Sequence, residues 1–98
     1  MQQVINIREI ELVEQLEGIK LFNEDVLPKV EDQRVRRVNL DKAATLTKGK
    51  DTKATIVLKT PAGYKRLVSK ILGVDHQAVW IENGLVIPIQ AIYAVDVL

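Results

Sequence analysis

The apolar positions of this chain change their period about a third of the way along. In the first third they recur every three residues. Ile10, Val13, Leu16 and Ile19 fall on one side of a helical wheel, Leu12 widens the stripe, and Glu11, Glu14 and Glu17 lie largely opposite. Asn6 stands where a helix cap would, Glu9 follows at capping-box spacing, and Ile5 and Ile10 are placed for a hydrophobic staple. This spacing predicts a helix that ends or bends near Gly18, with "LFNEDVLPKV" (21–30) adding a short turn before Pro28 interrupts it.

From Val35 onward the period shortens towards two. "VRRVNL" (35–40) reads as a strand, and "DKAATLTKGKD" (41–51) as a turn or short helical piece ending at Gly49. "KATIVLKT" (53–60) alternates cleanly, with Ala54, Ile56 and Leu58 on one face. Pro61 and Gly63 then suit a tight hairpin, the proline pre-set for the first turn position and the glycine free to turn left-handed. "YKRLVSKILGV" (64–74) is long for one strand, so a bend or bulge is expected between Ser69 and Gly73. "DHQ" turns the chain into "AVWIE", and Asn83-Gly84 signals a hairpin of the type I′ class. Pro88 closes the next short strand, "IQAI" fits a single 3₁₀ turn, and "YAVDVL" (93–98) is a last strand. Short antiparallel strands of this kind leave open edges unless the last returns to an early one, so "YAVDVL" is expected to close the sheet.

The expected fold is therefore α+β: an acidic N-terminal helical segment (1–33), then a small, strongly bent antiparallel β-barrel of the SH3-like or Sm-like kind (34–98), together one compact domain. Ninety-eight residues suit that reading, and the balance of 47% apolar to 28% charged residues is that of a globular chain. There is no cysteine, which removes disulfides and thiolate metal sites. No apolar run reaches bilayer length, and the first residues lack the basic and apolar regions of a signal peptide. A cytoplasmic location is the expectation.

Charge adds more. The net charge is only +1, yet residues 1–33 hold eight acids against three bases, and residues 34–98 hold eleven bases against five acids. An acidic third joined to a basic remainder points either to a nucleic-acid partner or to an internal electrostatic match.

The order of bent strand, NG hairpin, 3₁₀ turn and closing strand over residues 39–97 also carries a resemblance. Gly63, Asn83-Gly84, Ile87-Pro88 and Ile92 give this stretch a layout that resembles small uncharacterised bacterial proteins with an SH3-like or Sm-like β-barrel. The resemblance implies the barrel and nothing about activity, cofactor or catalytic residues.

Candidate chemistry is thin. His76 is the sole histidine and sits in a turn beside Asp75. Nucleophile–base pairs and metal sites need convergent partners, and no GxGxxG or P-loop spacing occurs. The chain is accordingly read as no enzyme, with no cofactor, metal or catalytic residue. Its basic residues cluster at Arg34, Arg36 and Arg37, at Lys48, Lys50 and Lys53, and at Lys65, Arg66 and Lys70. Gathered on one face beside an exposed Trp80, they would track a phosphate backbone. Trp80 also lies between Val79 and Ile81, so both faces of its strand carry apolar side chains, and one of them needs a cover other than the core. Arg34, Arg36, Arg37, Lys65, Arg66, Lys70 and Trp80 are thus the candidate contact residues. The expected function is a non-catalytic protein-binding or self-assembly module, its partner another protein or a second copy of the chain. The alternative is a nucleic-acid-binding barrel that uses the basic residues of 34–70.

Overall fold

The structure, a computed structural model, describes residues 10–14, 16–49 and 51–97, without the side chain of Asn83. In chain order the elements are strand β1 (Glu11–Leu12), helix α1 (Val30–Thr47) and strands β2 (Ala54–Thr60), β3 (Gly63–Ser69), β4 (Ile71–Val74), β5 (Ala78–Ile81), β6 (Val86–Pro88) and β7 (Ile92–Val97). The α+β class holds, with one helix and two sheets among the described residues. One sheet has the order β1-β3-β2-β7 and the other β4-β5-β6, and no ladder joins them into a closed barrel among those residues.

The strand pattern from Ala54 onward folds as its alternation predicts. β2 is the centre of its sheet and is buried on both faces, with Ala54, Ile56 and Leu58 in the core and Thr55 and Val57 on the other side. It pairs antiparallel with β3 across a hairpin closed at Thr60–Gly63, where Gly63 takes φ 104°. Thr60 Oγ1 secures that turn by donating to the Gly63 carbonyl and accepting from the Ala62 N–H. On its other side β2 pairs antiparallel with β7, so the last strand does return to an early one.

The long strand breaks at Lys70, between β3 and β4, and there the chain leaves one sheet for the other. Side chains satisfy the backbone groups freed by the bend. Thr47 Oγ1 accepts from the Ile71 N–H at 3.2 Å, Glu82 Oε1 accepts from the Lys70 N–H at 3.2 Å, and Ser69 Oγ donates to the Lys70 carbonyl at 2.9 Å. A 3₁₀ turn at Ile89–Ala91 leads into β7 as expected.

Three expectations are corrected. No residue among 10–14 and 16–29 is helical, so the helix expected to run to Gly18 does not form over that stretch, and the proposed Asn6 cap and Ile5 staple lie outside the described residues. Glu11 and Leu12 are instead extended, pairing in parallel with the edge of β3 at Glu11–Lys65 and Leu12–Arg66. The three-residue apolar spacing survives in another geometry, with Ile10 buried and Val13 and Leu16 packed half-buried against the core. Gly18, at φ 80°, then turns the chain.

The helix lies where a strand was expected at residues 35–40. α1 runs for 18 residues, starts just after Pro28, carries Glu31 and Asp32 in its first turn, and ends before Gly49 at φ 66°. Its buried face holds Arg36, Leu40, Ala43 and Thr47, only one of them a large apolar residue. Laid across β7 and β4, α1 closes the core where the two sheets diverge. The NG turn is also different in kind. It is a 3₁₀ turn over Glu82–Gly84, closed by the Ile81 N–H donating to the Leu85 carbonyl, with positive φ at Gly84 (75°). The β5–β6 hairpin forms, by a longer route than a type I′ pair.

Candidate functional site

The seven candidate residues do not gather on one face. Arg34 is exposed on α1, whereas Arg36, two residues on, is only 6% exposed. Arg36 grips Asp25 through both terminal nitrogens, at 2.8 and 2.7 Å, and donates to the Ile92 carbonyl at 3.0 Å. It thereby ties the N-terminal segment, α1 and β7 together, leaving its own Nε buried without a partner. Arg37 donates to the Asp75 carbonyl and meets Asp41 one helical turn along at 3.4 Å. Lys65 pairs with Glu11, and Arg66 Nε donates to the Ile10 carbonyl at 2.8 Å. Lys70 is half-buried at the strand bend.

Four of the six basic candidates therefore hold the fold together rather than line a groove. The charge asymmetry resolves, for Glu11–Lys65 and Asp25–Arg36, as an internal match between the acidic third and the basic remainder. Burial alone would raise the Asp25 carboxyl, but the Arg36 hydrogen bonds, the Leu27 N–H and the Arg36 charge outweigh it and hold the group below its ordinary value.

Asp75 is likewise lowered, first by the backbone N–H groups of Gln77 and Ala78, both 2.7 Å from Oδ1. That geometry locks the turn that carries Asp75 and His76. Among the described residues no group of three His, Cys, Asp or Glu side chains is placed to hold a metal ion, and no helix is long and apolar enough to cross a membrane. A cleft between the β1 segment and the sheets is bordered by Leu12 and Leu67 and by the polar residues Glu14, Lys53, Ser69 and Glu82, of which Ser69 and Glu82 already serve the strand bend.

Trp80 is placed as its sequence position suggests. Val79 and Ile81 point into the core, and Trp80 stands on the outer face of the β4-β5-β6 sheet at 39% exposure. Its cross-strand neighbours are Gly73 and Val86. A Cβ built on Gly73 would lie 3.5 Å from the Trp80 ring edge, so the ring rests over that glycine. Val86 and Leu72, the latter 67% exposed in the bulge of β4, extend an outer apolar patch that the sequence reading did not single out. The signal for Val86 was present in "LVIP", where alternation sends Ile87 in and Val86 out.

A second outer apolar face runs along α1, through Val35, Val38 and Leu46. Comparison with protein-family models, with curated proteins and with solved structures finds no match to this chain.

Proposed function

We propose that this chain is a small SH3-like or Sm-like barrel domain, working in the cytoplasm as a non-catalytic protein-binding or self-assembly module. The barrel assignment is supported by the strand order, in which β7 returns to β2 and the chain passes from the first sheet to the second at the Lys70 break between β3 and β4. The functional reading is carried by one observation: large apolar side chains stand exposed on two outer faces while most candidate cations are engaged within the chain. Exposed apolar patches on a small domain mark contact surfaces. Trp80, seated on Gly73 and flanked by Val86, is the kind of anchor that interfaces favour.

Nucleic acid is the second reading, through basic residues of 34–70. It is favoured by Arg34, Lys42, Lys48 and Lys53, all exposed. The two are separated by measuring the mass of the full chain against concentration, and the anisotropy of labelled mixed oligonucleotides at low and moderate salt. The protein-contact reading expects mass to rise with concentration and oligonucleotide binding to stay weak. A monomer that binds oligonucleotides tightly, with affinity falling steeply as salt rises, overturns it.

A further inference from the structure

Resting on that reading of an assembly module, we infer that the outer face of α1 is its self-association surface, and that it takes α1 of a second copy in antiparallel orientation. The helix has two apolar sides. Leu40, Ala43 and Thr47 face the core, while Val35, Val38 and Leu46 face outward, the two valines more than half exposed. With the methylene stem of Lys42, these form an outward row at steps of three, four and four residues, the spacing of a helix-packing seam.

The surface is also shaped for packing. Val38, Asp41, Lys42, Thr45 and Leu46 border a shallow hollow on the helix. The first four are residues i, i+3, i+4 and i+7, the four-sided hole that receives one side chain from a facing helix.

Charge selects the occupant and its direction. The first turn of α1 carries Glu31 and Asp32, and Lys48 follows its last turn. Two copies laid antiparallel about a centre near Leu40 bring the acidic start of each helix beside Lys48 of the other. The same register sets Val35 of each against Leu46 of the other, and Val38 against the stem of Lys42. The helix dipoles then oppose, whereas a parallel pair would place acid against acid. One 18-residue helix pair buries less than the about 800 Å² per partner of a standard interface, so the dimer is weak and concentration-dependent.

The test is sedimentation equilibrium of the full chain up to about 1 mM, where a weak dimer becomes populated. The expected result is a monomer–dimer equilibrium that Val38→Lys weakens by about tenfold or more through repulsion from Lys42. Trp80→Ser leaves it unchanged. Glu31→Lys with Asp32→Lys weakens it, and adding Lys48→Glu to that variant restores part of the loss. All the substituted positions are exposed, and unchanged far-UV circular dichroism verifies that each variant folds. Association that survives Val38→Lys and is lost with Trp80→Ser overturns the helix pairing while leaving the assembly reading standing. A charge swap that restores nothing overturns the antiparallel arrangement. A chain that stays monomeric throughout overturns the pairing, and tight oligonucleotide binding by that monomer overturns the assembly reading as well.

Discussion

Removing either partner of the Asp25–Arg36 pair should destabilise the protein by different amounts, and the difference tests how the pair works. In Asp25→Ala, Arg36 keeps its charge in a buried site and loses two bonds of 2.8 and 2.7 Å, retaining the one to the Ile92 carbonyl. Two charge-assisted hydrogen bonds would be worth ~3–6 kcal/mol if fully lost. Asp25 is 27% exposed, so water reaches the emptied site, and discounting for that gives about 2–3 kcal/mol. In Arg36→Met no buried cation remains, the unpartnered Nε disappears, and the Asp25 carboxylate stays partly hydrated. The loss of the bond to Ile92 and of the pair then amounts to about 1–2 kcal/mol. The double variant should fall below Arg36→Met only by the 2.8 Å bond from the Leu27 N–H to Asp25, about 1 kcal/mol, because Met no longer needs an acid. Urea unfolding at pH 7, followed by tryptophan emission and far-UV circular dichroism, resolves such differences against a total of ~5–15 kcal/mol. An Arg36→Met variant that is weaker than Asp25→Ala, or a double variant whose loss is the sum of the two, would refute this account of a buried cation held by its acid.

The same pair predicts a pH dependence. Asp25 releases its proton more readily in the folded chain than at its ordinary value of 3.8, so its contribution to stability is complete above that pH. The contribution should fade as pH drops through the lower folded value, and Asp25→Asn should flatten that part of an acid-unfolding curve. Gly84→Val should lower stability by ~1–3 kcal/mol, because φ 75° is strained for a β-branched residue, and an unchanged denaturation midpoint would contradict it. Gly73→Ala is expected to change stability by less than about 0.5 kcal/mol, since its Cβ would meet the Trp80 ring at an ordinary 3.5 Å. A large loss there would mean that the ring cannot keep its seat.

The strands from β2 onward were legible because apolar side chains recur at alternate positions, as Ala54, Ile56 and Leu58 do in β2. α1 was legible only at its end, where "DKAATLTKGKD" admits a helical piece stopping at Gly49, and its first half was not, for a physical reason. Its buried face is built from Arg36, Leu40, Ala43 and Thr47, and two of these read as polar in any hydropathy pattern. Its more apolar residues, Val35 and Val38, face outward, so the visible pattern described the wrong side. The N-terminal stripe misled in the opposite sense. A spacing of three suits a helix, but Ile10, Val13 and Leu16 can equally turn inward along an irregular segment anchored on the edge of β3. Trp80 was readable because Val79 and Ile81 already claimed the inner face. The tethered state of Arg36, Arg37, Lys65 and Arg66 was hidden, since their partners at Asp25, Asp75, Glu11 and Ile10 are remote in sequence for all but the helical Asp41 contact.

The pairing of β2 with β7 also sets the order in which the molecule can form. The paired residues run from Leu58–Ile92 to Ala54–Val97, separations of 34 to 43 residues. Closing such spans is slow beside a helix or a tight hairpin, which form within microseconds. α1 and the β2–β3 hairpin are therefore expected to come early, leaving β2 with one side unpaired until β7 arrives, an order that pulse-labelled amide exchange during refolding would check. During that interval its apolar run can recruit the same strand of another chain, the usual hazard of an open edge. The late step does more than cover β2: only when Ile92 is in place does its carbonyl reach Arg36, so α1 acquires its last anchor in the same event.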